Sequence, residues 1–230
     1  MKDRRTRQLS FYGVLAIGFL WSVVVAFGVF FGWVHLHPAT AARLLFRIAY
    51  QIVGLLSLYL ALRYQGRTFK EIGLVIDPRL LEIGRAFGLY FGVIFLTVSL
   101  YLVLNLLSPR FQPLAHHRNF DSAALFGVHV TIASLLFVVL NPFHEELLVR
   151  AFLITEVEGL YHSTLLAVIV SVALQTSYHI YQGLPAALSH IPAFLIFSLY
   201  YVRTRRIFPI ILAHLFMDIS ALALYAQHHR

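Results

Sequence analysis

The 230-residue chain contains no cysteine, and only 12% of its residues are charged. The missing cysteine removes disulfides, thiolate metal ligands and a thiol nucleophile together. The scarcity of charge excludes an ordinary soluble domain, in which roughly a quarter of residues are charged. The apolar runs do not alternate with polar residues, which argues against a transmembrane barrel. No internal repeat, low-complexity tract or soluble domain interrupts them. There is no basic strip interleaved with stacking aromatics of the kind single-strand binders use, so nucleic acid is not an expected partner.

What is present is hydrophobic: 60% of the chain. A spanning helix needs about 20 mostly apolar residues. Seven candidate spans meet that length, over about 11–34, 41–62, 84–107, 122–154, 163–181, 187–203 and 206–226. The expected fold is therefore all-α, a polytopic bundle of about seven spanning helices forming one membrane domain over 1–230. The first apolar run is too long for a signal-peptide core and lacks a clean small-residue cleavage pattern, so it reads as a retained span. The stretch FKEIGLVIDPRLLEIG, in the segment of about 63–83, mixes charge with large apolar residues and is expected in the membrane interface.

The formal net charge is +8. Its distribution matters more than its size. Lys2, Arg4, Arg5 and Arg7 precede the first span. Arg63, Arg67, Lys70, Arg79 and Arg85 lie between spans two and three, and Arg203, Arg205 and Arg206 between spans six and seven. Seven spans put all three clusters at one end of the bundle, and the positive-inside rule makes that end cytoplasmic. The opposite loops hold few cations, chiefly Arg43, Arg110 and Arg118. The expected location is integral in a plasma membrane of bacterial type, with the N-terminus cytoplasmic and the bilayer, including anionic lipid, as a constant partner.

Ionisable residues inside apolar spans are costly and point by default to function. Here they cluster in the second half. In span four Glu145 and Glu146 are adjacent, and Arg150 stands one turn after Glu146, the favourable order for an ion pair. Glu145 points about 100° away around the helix. One glutamate can thus be held structurally while the other is left for chemistry. Pro142 lacks an amide hydrogen and disturbs the helix just before them, creating a polar opening beside Glu145 that Asn141 or a water can satisfy. His179 lies near the far end of span five, with Gln175 close by. His214 and Asp218 share one face of span seven, where an acid can orient an imidazole. Each feature has a plainer reading: a structural ion pair, a snorkelling acid, a helix-to-helix clasp. His129 and His144 read best as interhelical hydrogen-bonding residues.

Peptide hydrolysis in a membrane needs a water, a base, an oxyanion stabiliser and a proton donor. The familiar solutions are absent. His144-Glu145 does not continue into HExxH, because Leu148 occupies the second histidine's place. No GxSG surrounds a serine, and no GxGD marks an aspartyl pair. What remains is a carboxylate and two imidazoles. Glu145 with His179 can activate a water. His214, oriented by Asp218, can stabilise an oxyanion. Glu and His are equally zinc ligands, and spacing alone does not decide between the two.

The ordered set Glu145-Glu146-x-x-x-Arg150, His179 and His214-x-x-x-Asp218 resembles the three motifs of the CPBP family, the CAAX prenyl-protein endopeptidases and the bacterial Abi and bacteriocin-processing proteins. The segment LYYVRTRRIFPIILAHLFMD is similar to the family's C-terminal signature. The resemblance covers about residues 120–222, with 1–119 supplying N-terminal spans and an interfacial loop. It implies a glutamate-dependent intramembrane endopeptidase in which Glu145 is the base, His179 helps to hold the water, Glu146 and Arg150 support the site, and His214 with Asp218 form the oxyanion pair. It also implies no cofactor, with zinc as the alternative. The substrate is then a peptide or protein, either a prenylated CAAX tail or a leader peptide. Gln175 stands where the family usually has Phe, and Asp218 where it more often has Asn. Those two positions are what favour the second reading, a non-proteolytic scaffold or regulator on the same fold. A third, a small transporter using membrane carboxylates as proton relays, lacks the expected inverted repeat.

Overall fold

A computed structural model describes residues 4–75, 80–107 and 122–228. Arg79, Arg110 and Arg118 lie outside the described residues. The fold is all-α, with no strand among the described residues. Seven helices are long and apolar enough to cross a bilayer: α1 (Arg4–Phe30), α2 (Ala41–Gln65), α3 (Leu80–Val103), α4 (Ile132–Tyr161), α5 (Thr164–Gln182), α6 (Leu184–Thr204) and α7 (Phe208–Gln227). This is the number and order of spans expected from hydropathy.

Local chemistry sets the ends. The Thr40 side chain accepts from the Arg43 amide to start α2, and Gly66, left-handed at φ 73°, ends it. His162 and Arg205, both left-handed without being glycine, close α4 and α6. Against the sequence expectation, α1 begins at Arg4 rather than about 11, so that Arg4, Arg5 and Arg7 lie in its first turn, and both ends of α4 differ. The helix begins at Ile132 rather than about 122. Residues Ala123–Phe126 form a separate helical turn stopped by Gly127 at φ 85°, and a Thr131–Ser134 capping box then starts the long helix. The helix also continues to Tyr161 rather than stopping near 154.

The later end resolves a difficulty in the sequence. With span four ending near 154, His179 would sit deeper in the bilayer than Glu145. With the α4–α5 turn at His162 and Ser163, Glu145 stands 16 residues before Tyr161 and His179 stands 15 after Thr164. Antiparallel neighbours joined by so short a turn bring equal distances to equal heights. Ser171 Oγ donating to the Val149 carbonyl at 2.9 Å fixes that register.

α4 is the central element, packed against α1, α2, α5, α6 and α7. Half of its apolar window is buried inside the protein, against 17% for α3, which lies at the edge against α6 and α7. Helices in lipid associate through close packing rather than through water's exclusion. Gly18 and Gly54 supply the close approach, since a β-carbon on Gly54 would stand 2.5 Å from His144 Nε2.

The arginine-rich end is sewn together by ion pairs. Glu156, fully buried, meets Arg7 at 2.6 Å and Arg67 at 2.5 Å. Glu82 meets Arg85 at 2.5 Å and Arg206 at 2.6 Å, and Glu158 meets Arg205 at 2.5 Å. A short helix, Phe69–Ile72, folds beneath the same end. Ile72 is fully buried, Tyr201 donates to the Ile72 carbonyl at 3.1 Å, and the Ile207 amide donates to the Gly73 carbonyl at 3.0 Å.

Candidate active site

Pro142 sits inside α4. Immediately after it, Glu146–Phe152 winds as a π-helix, and every residue of that stretch is buried. A proline removes one backbone bond, and a π turn is one way for a helix to absorb the change; such turns recur at functional sites. The two glutamates occupy the junction between the α and π windings, and they look in different directions. All side-chain partners of Glu145 are on α5, whereas Glu146 turns to α7 and to its own helix.

Glu145 is 8% exposed. Its Oε2 accepts from Gln175 Nε2 at 3.0 Å and from the Tyr178 hydroxyl at 2.8 Å. His179 Nε2 stands 3.8 Å from the same oxygen, too far for a direct hydrogen bond. The far side of the His179 ring is set by Gln182, whose amide nitrogen lies 3.5 Å from Nδ1 and 3.0 Å from the Tyr181 hydroxyl. His190 in turn contacts Gln182 Oε1 through Nε2 at 2.9 Å.

Glu146 is fully buried. Its Oε1 accepts from His214 Nδ1 at 2.7 Å, and its Oε2 is 3.5 Å from Arg150 Nε. Arg150 is also fully buried and lies over the Phe194 ring, its carbon 5.5 Å from the ring centroid. His214 therefore has two acidic neighbours. Nδ1 faces Glu146, and Nε2 faces Asp218 Oδ1 at 3.6 Å. Asp218 is held from α4, with α2 behind it. Asn141 Nδ2 donates to its Oδ2 at 3.1 Å, and Gln51 Nε2 donates to Asn141 Oδ1 at 3.0 Å.

The structure thus brings all six sequence-selected residues into one cluster, and the cluster borders a cavity of about 360 Å³. Arg150 lies behind it, away from the lining. Five contributors were not selected from the sequence: Tyr178, Tyr181, Gln182, His190 and Gln51. Tyr178 precedes His179, and a helix places it toward α4 when His179 faces the cavity. That signal was available but weak, because tyrosine in an apolar span is usually only packing. Gln175, noted in the sequence as a departure, proves to be a direct donor to Glu145. Of the two histidines read as interhelical hydrogen-bonding residues, His129 is exposed. His144 is buried among Phe19 and Tyr50, and its Nε2 has no hydrogen-bond partner among the described residues.

The donor set can be tested against a metal. Among the described residues, no three His, Asp or Glu side chains are grouped so as to hold an ion. The reason is visible in the partners. Glu146 and His214 are turned to one another, and Glu145 is turned to an amide and a phenol. The arrangement does not fit a zinc site of three protein ligands.

Residues 127–220 match the family model of the type II CAAX prenyl endopeptidase, Rce1-like. This is the CPBP-type recognition drawn from the motifs, and the match falls inside the stretch that carried it. No curated protein and no solved structure matches the chain. The Rce1-like segment runs from Gly127 through Ser220, so it contains Glu145, Glu146, Arg150, His179, His214 and Asp218. It also takes in Asn141, Gln175 and Tyr178 but not Gln51, which α2 adds from outside the matched segment.

Proposed function

We propose that the protein is an intramembrane endopeptidase in which Glu145 and His179 activate a water for attack on a peptide bond. The observation that carries this reading is the unequal treatment of the two glutamates. Glu146 is committed to His214 and Arg150. Glu145 meets only neutral donors and a histidine 3.8 Å away, a separation that one bridging water spans. Glu145 takes a proton from that water as the oxygen attacks the scissile carbonyl. His214, with Nδ1 fixed by Glu146, presents Nε2 toward the cavity and donates to the developing oxyanion. The tetrahedral intermediate collapses by breaking the carbon–nitrogen bond, and the proton held by Glu145 passes to the leaving amine. Asp218 has no hydrogen to donate as a carboxylate. Its place beside Nε2, held by Asn141, suits it to keeping the His214 ring oriented.

No cofactor enters this scheme. The substrate is a peptide or protein segment, as the family description supports. The scaffold reading rests on Gln175 and Asp218 as departures. Gln175 weighs against it, because its amide contacts the proposed base directly.

The test is cleavage of a peptide library by purified protein in liposomes, comparing wild type with Glu145→Ala and His179→Ala, with and without a chelator. The expected result is loss in both variants, on the order of 10²–10⁴-fold as for removal of a general base, with the chelator without effect. Inhibition by chelator that zinc reverses would replace this mechanism with a metallopeptidase. Variants that keep every cellular phenotype, with no cleavage by wild type, would leave the scaffold.

A further inference from the structure

The cavity that holds the cluster has a direction. It is lined from α1, α2, α4 and α5 only by residues in the halves of those helices remote from the arginine-rich end, such as Trp21, Arg47, Asn141 and Gln182. His214 and Phe197 form its floor, from α7 and α6. Its rim comes from the connections at the remote end. Leu36 stands there after α1, and Ala124, Leu125 and Phe126 precede α4. Arg47 ties that rim down, donating through Nη1 to the Ala124 carbonyl at 2.8 Å and the Leu125 carbonyl at 3.3 Å. Among the described residues, no lining residue comes from the connections at the arginine-rich end. That end is occupied by the Arg7–Glu156–Arg67 pairing, by the Glu82 and Glu158 pairs, and by the buried Phe69–Ile72 turn.

We infer that the cavity opens to the non-cytoplasmic side of the membrane, and that its substrate is a polypeptide segment entering from that side. Two independent observations meet in this. The geometry says that the cavity opens away from the arginines. The positive-inside rule says that the arginines mark the cytoplasmic face, with Arg4, Arg5, Arg7, Arg63, Arg67, Lys70, Arg85, Arg203, Arg205 and Arg206 there, against Arg43 and Arg47 near the start of α2 and, by sequence, Arg110 and Arg118 between α3 and α4. Exposed Trp33 and Phe31 at the mouth end suit the aromatic layer of a bilayer surface. The consequence separates the two substrate classes left open by the sequence. A prenylated tail in the cytoplasmic leaflet would have to cross the ion-paired end. A leader or exported peptide on the outer face meets the end of the bundle that holds the cavity. The substrate clause rests on the peptidase reading; the direction of the cavity does not.

The absence of cysteine makes the natural chain a clean background for labelling. Leu36→Cys reports the mouth and Thr204→Cys the arginine-rich end, with Trp33→Cys, at a side chain 78% exposed, as the replacement if Leu36→Cys does not accumulate. A membrane-impermeant maleimide is applied to intact cells and to permeabilised ones. The expected result is labelling of the mouth cysteine in intact cells, and of Thr204→Cys only after permeabilisation. The reverse pattern would overturn the inference. The second arm uses liposomes whose sidedness those labels define, with a quenched-fluorescence peptide library offered to one face at a time. Cleavage at least tenfold faster from the mouth face supports the substrate clause, and equal or faster cleavage from the arginine face overturns it. Cleavage from neither face, with labelling as expected, would reject the peptidase reading and its substrate while leaving the direction of the cavity standing.

Discussion

Two groups of buried acids lie within one helix and are treated in opposite ways. Glu156, eleven residues after Glu145 on α4, is fully buried and answered by two arginines from the start of α1 and the end of α2. Glu145 is nearly as buried and is answered by an amide, a phenol and an imidazole held off at 3.8 Å. A carboxylate paired with two arginines joins chain segments, and its removal unties them. A carboxylate among neutral donors at a cavity joins no distant chain segments and faces the space a substrate would fill. The difference teaches how to tell a fastening from a reagent in a membrane: by the charge of what surrounds the acid, not by its depth.

The sharpest way to break the comparison is to exchange the outcomes. Glu145→Gln should abolish cleavage while leaving the thermal unfolding midpoint in detergent close to that of wild type. Glu156→Ala should do the opposite in kind, costing about 3–5 kcal/mol because it leaves two arginines facing a buried gap, and should be read as a lower midpoint and lower yield. If Glu145→Gln proved the more destabilising of the two, the distinction drawn here would fail. A smaller effect is expected at Tyr178→Phe, which removes one hydroxyl donor to Glu145. A hydrogen bond to a charged group contributes about 1.5–3 kcal/mol to stability, so the unfolding midpoint should fall modestly and turnover should fall with it. An unchanged rate would show that Tyr178 only packs.

The smallest effect lies outside the spans. The Thr68 amide and hydroxyl hold the Glu71 carboxyl below its usual range. A lowered folded value means that this cap contributes fully above the ordinary glutamate range and is lost as pH falls through the lowered value. Hydrogen exchange at the Thr68 amide should therefore gain protection from low pH toward neutrality, relative to Glu71→Gln. A difference that grew instead as pH fell would reverse the sign and reject the cap.

Seven helices, their order and six clustered residues were legible because each rests on local composition or on spacing within one helix. The start of α1 and the ends of α4 were not. Ala123, Ala124, Leu125 and Phe126 are as apolar as a span, and only the positive φ of Gly127 and the Thr131–Ser134 box separate them from it. At the other end Glu156 and Glu158 look like residues that have reached water. Their partners Arg7 and Arg205 lie far away in sequence, so nothing local shows that the helix goes on. The pairing of His214 with Glu146 was hidden for the same reason. Asp218, one turn away, is the obvious partner by sequence, yet the 2.7 Å contact goes to another helix.

The π turn between Glu146 and Phe152 works as a phase gear. One residue added to a helical path turns everything beyond it by about 100° relative to everything before. Upstream, α4 must aim one glutamate at α5 and the next at α7; downstream, it must aim Glu156 at α1 and α2. A uniformly wound helix with one residue fewer would have those two demands out of step. Deleting a single residue inside the turn would thus leave either the chemistry or the fastening facing the wrong neighbour, although no side chain that touches substrate had been altered.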